Sequence, residues 1–205
     1  MSKKKKNHRY NFSRNRKIVL ASASPRRIKL LKQIGLNFVV AKPDLDENKL
    51  MRKFETFGPK KLVKILSLAK ALWVCLNMSL KGNEIIVGFD TAIEYKKKMI
   101  GKPKNKKDAL NIILKLSNKE HKVHTGIGLI DLKKKYIISD SETTKVYMKK
   151  ILKHEALSYI KTKEPLDKAG AYAIQGKGKK LVKKIQGDYF NVVGLPLKRF
   201  LSLIS

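Results

Sequence analysis

The chain has 205 residues, which is long enough to bury the core of one domain, and its formal net charge is +32. No apolar run approaches the roughly 18–20 residues that cross a bilayer, and the N-terminus lacks the apolar stretch of a secretory signal. We therefore expect a cytoplasmic protein without a membrane partner. The single cysteine, Cys75, excludes a disulfide and a cysteine-based zinc site.

The positive charge is the strongest compositional feature. It predicts attraction to polyanions through counterion release, including nonspecific binding of nucleic acid at low salt. The lysines are spread through every segment, as a lysine-rich composition without a specific partner would also place them. Residues 1–17 hold eight Lys or Arg and no acid, so we predict a disordered basic tail at 1–17 and a folded domain at 18–205. The tail is interpreted as a solvated extension, with a nuclear address or a polyanion arm as alternatives.

The first predicted elements are a buried strand at Ile18–Leu20 and a helix that ends near Ile34, before Gly35. Ser24 and Pro25 provide the N-cap and the first-turn proline of that helix. A strand and an acidic loop come next, at Phe38–Val40 and Asp44–Glu47.

A second helix is predicted from Pro59 to Leu76, because apolar side chains recur there at helical spacing. Lys70 lies at the margin of that apolar face. Strands are predicted around Ile85–Phe89, Thr91–Tyr95, Val123–Ile130 and Tyr136–Val146, and further helices around Asn105–Leu116, Lys153–Thr162 and Pro196–Ile204. Alternating helices and strands indicate an α/β protein, and the hairpin of Thr91–Tyr95 with Lys98–Ile100 favours a mixed sheet.

The segment Ser22–Arg27 places hydroxyls and guanidiniums where a strand turns into a helix. A helix N-terminus and arginine forks both bind phosphate, so this segment would suit a triphosphate. A capped helix with solvated arginines is the alternative.

Asp90 and Thr91 follow a buried strand, and a carboxylate in that position can orient water or bind Mg²⁺. A simple turn is the alternative. Lys102 and Glu47 are ordinary surface residues when considered singly.

The segment Glu164–Gly176 mixes charged residues, an amide and two glycines between apolar residues, as a ligand-facing loop would. Gln175 offers a donor and an acceptor for the edge of a nucleobase, and Gly176 allows close approach of the backbone. A turn whose amide satisfies backbone groups is the alternative.

These motifs occur together and in a fixed order. The segments Leu20–Arg27, Gly88–Thr91, Gly101–Pro103, His121–Gly126, Glu164–Gly176 and Gly187–Leu197 resemble the motifs of the Maf family of nucleoside triphosphate pyrophosphatases. The resemblance covers nearly all of residues 18–205, so this part is identified as a Maf-like catalytic domain. It implies an elongated α/β fold similar to inosine triphosphate pyrophosphatases, with two lobes around a deep cleft and a homodimer.

The resemblance also implies site roles. Asp90 would be the proton acceptor for the attacking water, and Glu47 with Asp90 would hold a divalent ion, Mg²⁺ or Mn²⁺. The implied substrate-binding residues are Ser24, Arg26, Arg27, Lys70, Thr91, Lys102, Lys168 and Gln175. The products would be a nucleoside monophosphate and pyrophosphate.

Two branches of the family differ near the base. Arg26, Thr91 and Gln175 resemble the branch that prefers dTTP and UTP, and modified pyrimidine nucleotides are included in this expectation. A 7-methyl-GTP pyrophosphatase and a non-catalytic polyanion-binding or cell-division regulator are the alternatives. Phe89 and Ala173 depart from the family pattern, which has a small residue before the aspartate and a glycine before Ile-Gln-Gly. Phe89 would either pack in the core or narrow the pocket.

Overall fold

A computed structural model describes residues 16–205, and seven strands in this part of the chain form a single mixed sheet. The strands are β1 (Ile18–Ala21), β2 (Phe38–Ala41), β3 (Ile85–Tyr95), β4 (Lys98–Ile100), β5 (Glu120–Asp131), β6 (Tyr136–Met148) and β7 (Val182–Gln186). Their order is β2-β1-β3-β5-β6-β7, with β4 paired to β3. β1 runs parallel to β2 and β3, and the other pairs are antiparallel. The predicted α/β class with a mixed sheet is confirmed.

The described residues also form seven α-helices, and none of these is long and apolar enough to cross a membrane. The helices are α1 (Pro25–Gln33), α2 (Glu47–Lys53), α3 (Gly58–Asn77), α4 (Lys106–Leu116), α5 (Lys153–Ile160), α6 (Tyr189–Val193) and α7 (Leu197–Ile204). Short 3₁₀ segments lie at Glu55–Phe57, Glu164–Asp167, Ala169–Ala171 and Lys177–Leu181. The predicted tail lies outside the described residues apart from Arg16 and Lys17, and Arg16 forms an ion pair with buried Asp131.

Three apolar clusters surround the sheet. One packs α1 and α7 against β1, the first half of β3 and the middle of β5, with Phe89 and Phe200 at its centre. A second packs α3 against the opposite face of β1 and β3. The third joins α4 and α5 to the second half of β3, the first half of β5 and the last residues of β6. The first and third clusters therefore build the two ends of the sheet, and a cleft opens between them.

The helix α3 lies unusually close to the sheet, because three glycines face it. A Cβ added at Gly88 would lie 2.2 Å from the Ser67 carbonyl oxygen, and one at Gly126 would lie 2.1 Å from that of Val63. A Cβ at Gly128 would lie 2.3 Å from the backbone of Leu68. Real carbon atoms do not approach so closely, so only glycine allows this packing. It brings the middle of α3 onto β3.

Three details differ from the sequence-based expectation. The two strands predicted on either side of Asp90 are one continuous strand, β3, so Asp90 does not end a strand. However, β1 pairs with β3 only as far as Gly88, which leaves the β1-facing edge of β3 open beside Asp90. The acidic loop is also shorter than predicted, because Asp46 accepts a hydrogen bond from Lys49 N and caps α2, which begins at Glu47. The elements α2, β7 and α6 were not predicted from the sequence.

Candidate active site

A cleft of about 1130 Å³ lies between the two ends of the sheet. Residues from α1, α2, α3, β3 and the 3₁₀ segments after α5 line it. The lining includes every predicted site residue: Ser24, Arg26, Arg27, Glu47, Lys70, Asp90, Thr91, Lys102, Lys168 and Gln175. Residues that are far apart in the sequence therefore meet at one surface, as expected of a binding site.

Lys70 lies at the centre of the charged groups. Its Nζ is 2.7 Å from Asp90 Oδ1 and 2.9 Å from Glu47 Oε2. The Lys70 side chain is only 8% exposed, whereas that of Glu47 is 47% exposed. Gly88 explains this placement, because its missing side chain lets the backbone of Ser67 and Ala71 and the Cβ of Lys70 approach β3 two residues before Asp90. One ammonium thus joins carboxylates from α2 and β3.

Burial raises the pKa of Asp90 above its ordinary value, and the charge and hydrogen bond of Lys70, with the charge of Arg27, oppose that rise. A carboxylate with a raised pKa is a stronger base when it is ionised. Asp90 is therefore a carboxylate of raised basicity that lines the cleft and is held by the Lys70 ammonium. These properties suit a proton acceptor.

Arg27 is held by the protein in three directions. Its Nε donates to the Gly194 carbonyl oxygen at 2.8 Å, and its two terminal nitrogens donate to Ser22 Oγ and Thr91 Oγ1, each at 3.2 Å. Burial lowers the pKa of Arg27 to about 10, with Asp90 opposing this effect, so the guanidinium stays charged near neutral pH. Arg27 thus connects α1 to β3 and to the residues before α7, and N–H groups remain for a ligand because guanidinium has five.

A family model described as Maf-like protein matches residues 17–205 of this chain. The chain belongs to the Maf-like protein family. Among its relatives, a dTTP/UTP pyrophosphatase of Acetivibrio thermocellus is 46% identical over 193 residues, which cover 92% of this chain and 94% of the relative. Proteins of the same name from a Thermoanaerobacter species and from Thermosipho melanesiensis are 43% and 44% identical, and each match covers at least 91% of both chains.

The N-terminus of helix α1 in this Maf-like chain presents groups that can bind an anion. Ser24 is the N-cap of α1, but its side chain does not cap the helix; its backbone N–H donates to Ser22 Oγ at 3.2 Å. The buried Nε of Arg26 has no hydrogen-bond partner within residues 16–205. The Ser24 hydroxyl and the Arg26 guanidinium both line the cleft, where they are placed for a phosphate.

The wall of the Maf-like cleft beside the third apolar cluster carries Lys102 and Lys168, and Gln175 lines the cleft next to Ile174 of the first cluster. Lys102 and Gln175 are exposed, whereas Lys168 is paired with the Asp167 carboxylate. Exposed polar groups that line a cleft can turn toward a ligand at little cost.

The two departures from the Maf pattern have different environments. Phe89 is fully buried, does not line the cleft and packs edge-on against Phe200 with ring centroids 5.4 Å apart. It is therefore a core residue and does not narrow the pocket. Ala173 lines the cleft, and its backbone N–H donates to Tyr159 Oη at 3.1 Å.

Sequence reasoning missed a polar network behind the Maf site. Thr91 Oγ1 is 3.0 Å from Thr125 Oγ1, which donates to the Asn191 carbonyl oxygen at 3.1 Å. The Asn191 side chain donates to Val123 O and Thr144 Oγ1. Thr125 and Asn191 lie in the segments His121–Gly126 and Gly187–Leu197, so the motif resemblance was the available signal, although it gave no role to either residue.

Proposed function

We propose that this chain hydrolyses dTTP and UTP between the α and β phosphates and releases a nucleoside monophosphate and pyrophosphate. The observation that carries the proposal is the match to relatives named dTTP/UTP pyrophosphatase, which covers 92% of this chain and 94% of the first relative. The cleft agrees with a triphosphate substrate because arginine and lysine side chains line it.

Asp90 is the proposed proton acceptor. Its ionised carboxylate takes a proton from the attacking water as that water adds to the α-phosphate, and the bond to the pyrophosphate leaving group breaks. Lys70, whose Nζ is 2.7 Å from Asp90 Oδ1, favours the ionised form against the effect of burial and holds the carboxylate in place. Since phosphoryl transfer depends on positioning and on neutralising charge, the base and the nearby cations supply what the reaction needs.

The proposed phosphate-binding groups lie on both walls. Arg26, Arg27 and the N-terminus of α1 form one wall, and Lys102 and Lys168 form the other. As pyrophosphate leaves, negative charge grows on its oxygens, and cations placed on two sides stabilise that charge. Gln175 is assigned to the nucleobase, since its amide offers both a donor and an acceptor.

The carboxylate oxygens of Glu47 and Asp90 fit a hard divalent cation. Mg²⁺ binds proteins through one or two carboxylates and completes its coordination with water and substrate phosphates, and Mn²⁺ accepts the same donors. Residues 16–205 contain no group of three or more His, Cys, Asp or Glu that could hold a metal ion. When bound, the ion would neutralise phosphate charge.

The alternatives stated from the sequence are not favoured. The three relatives described above are named dTTP/UTP pyrophosphatase, which favours these two substrates over 7-methyl-GTP. A polyanion-binding regulator would not need a lysine clamped between two carboxylates in a cleft. The homodimer, the binding of nucleic acid at low salt, the cytoplasmic location and the basic tail stay predictions from the sequence.

The test is pyrophosphate release from UTP, dTTP, CTP, GTP and 7-methyl-GTP with Mg²⁺ and then with Mn²⁺. Asp90→Asn should lower turnover about 10²–10⁴-fold, the usual worth of a general base, while nucleotide binding is kept. Asp44→Asn is the matched control, because Asp44 is an exposed aspartate outside the cleft lining. Preferred hydrolysis of 7-methyl-GTP, or full activity of Asp90→Asn, would contradict the proposal.

A further inference from the structure

Gln175 lies in a loop of residues 172–178, here called the Gln175 loop. The side chain of Glu164, which precedes this loop in the sequence, bonds to its backbone. Its Oε2 accepts a hydrogen bond from Lys177 N at 3.0 Å, and its Oε1 accepts one from Gly178 N at 3.1 Å. One carboxylate therefore holds two consecutive amides on the C-terminal side of Gln175.

Tyr159 extends this anchor to the other side of the loop. Its hydroxyl donates to Glu164 Oε1 at 2.8 Å and accepts from Ala173 N at 3.1 Å. Burial alone would raise the pKa of Glu164, but the hydrogen bonds from Tyr159, Gly178 and Lys177 outweigh it and hold that pKa below its ordinary value. The carboxylate is thus ionised while it holds the loop.

Gly176 shows how closely the loop is wrapped around this carboxylate. A Cβ at Gly176 would lie 2.3 Å from Glu164 Oε2. The φ of Gly176 is −109°, which any residue can adopt, so backbone conformation does not explain the glycine. Contact with Glu164 does explain it.

We propose that Glu164, through Tyr159 and the amides of the Gln175 loop, is a positioning residue that sets the place of Gln175 and thereby the choice of pyrimidine base. This inference rests on the proposed function, in which Gln175 contacts the base. Glu164 does not line the cleft, so it acts through the loop and not by touching substrate.

The position of the Gln175 amide can decide which pyrimidine is bound, because the bases differ in the order of their donors and acceptors. The edge of uracil or thymine presents an N–H donor beside a carbonyl acceptor, whereas cytosine presents an acceptor beside an amino donor. An amide side chain matches either pattern when it is free to turn over, because it carries both a donor and an acceptor. The backbone hydrogen bonds on both sides of Gln175 fix where its amide lies relative to the edge of the base. Loss of this anchor should therefore reduce discrimination between UTP and CTP.

The first measurement compares kcat and KM for UTP and CTP in the wild-type protein and in Glu164→Gln. We expect KM for UTP to rise and the UTP to CTP ratio of kcat/KM to fall about 10-fold, as one lost or misplaced hydrogen bond would produce, while kcat for UTP changes little. Glu155→Gln is the matched control, since Glu155 also accepts from a backbone amide, that of Leu152, but lies outside the loop.

A second pair of variants tests whether Glu164 acts through its contact with the Gln175 loop at Gly176. Gly176→Ala should lower the UTP to CTP ratio in the wild-type background, because its methyl group would push the loop off the carboxylate. In a Glu164→Ala background the same change should have little further effect, since the clashing atoms are gone. If Gly176→Ala lowers the UTP to CTP ratio equally in both backgrounds, Glu164 does not act through this contact.

The outcomes separate the two proposals. Wild-type hydrolysis of UTP with an unchanged UTP to CTP ratio in Glu164→Gln overturns the role of Glu164 alone. An equal loss for both nucleotides overturns it too, because that pattern indicates a general structural defect. Absence of pyrophosphate release by the wild-type protein from either nucleotide removes the proposed function and this inference together.

Discussion

At the scale of single residues, Lys70 determines how the two acidic groups of the site behave. It is buried, and its Nζ contacts Asp90 and Glu47 at 2.7 and 2.9 Å. Because burial raises the pKa of Asp90 and Lys70 opposes that rise, the ammonium decides how much of the base is ionised at a given pH.

Replacing Lys70 with Met should therefore change the pH profile as well as the rate. The pKa of Asp90 rises further when the opposing cation is removed, and Asp90 must be ionised to accept a proton. The acid limb of the kcat/KM profile should move to higher pH, and the rate near neutral pH should fall about 10²-fold. Lys70→Arg keeps the charge and should move the limb less. Lys61→Met, an exposed lysine of α3, is the control; an acid limb that stays in place would show that Lys70 does not act on Asp90.

At the scale of secondary-structure elements, the contact of α3 with β3 and β5 places Lys70. The apolar period of α3 predicts that one face is buried, but it does not say how near the sheet that face lies. The backbone of α3 can touch the strands only because Gly88, Gly126 and Gly128 have no side chains. The depth of this contact brings the Lys70 ammonium to the carboxylate of β3.

Gly88→Ala should disturb both stability and activity. Its Cβ would meet Ser67 O at 2.2 Å, so α3 must move away from the sheet, at a cost of about 1–3 kcal/mol in the free energy of unfolding. Turnover should fall as well, because the movement carries Lys70 with it. Gly101→Ala is the control for urea unfolding, since a Cβ at Gly101 meets nothing within 4 Å. Equal stability of the two variants would contradict the close packing of α3.

At the scale of the whole molecule, positive charge is spread along the chain, whereas the cleft is lined by both acidic and basic side chains. The net charge is +32, yet Asp46, Glu47, Asp90 and Asp167 all line the cleft among its lysines and arginines. A site of mixed charge is suited to a triphosphate accompanied by a divalent cation. A buried group outside this cleft lining, His121, contributes to the pH dependence of stability.

His121 should make the fold sensitive to acid. It is 2% exposed, its Nε2 is 2.8 Å from Tyr172 Oη, and burial lowers its pKa from 6.5 to about 4. The unfolded chain therefore binds the proton more readily. Stability is fully present above about pH 6.5 and is lost as the pH falls to about 4, by about 3 kcal/mol from this residue.

Denaturant unfolding of His121→Gln between about pH 7 and pH 4 measures this contribution. The variant should lose about 3 kcal/mol less than the wild-type protein over that range, for the reason just given. His154→Gln, an exposed histidine of α5, should decline as the wild-type protein does. Identical declines in all three proteins would mean that burial does not hold His121 neutral.

The sequence by itself determined the class of the fold, most of its helices and strands, and ten polar side chains that line the cleft. Apolar periods of two or 3.6 residues are local, so β1, α1, α3 and α4 could be predicted within a few residues. The elements α2, β7 and α6 were missed because they are only seven, five and five residues long, too short to carry a clear period. The joint order of the motifs identified the family and with it the residues proposed for the site.

Only the tertiary structure decided how these residues act on one another. The ion pairs of Lys70 join α3 to α2 and β3, and Glu164 holds a loop more than ten residues further along the chain. Local patterns record which face of an element is apolar, but not which distant side chain lies opposite it. That choice comes from strand register and from the close approach of backbones, both of which are set by the packing free energy of the whole fold.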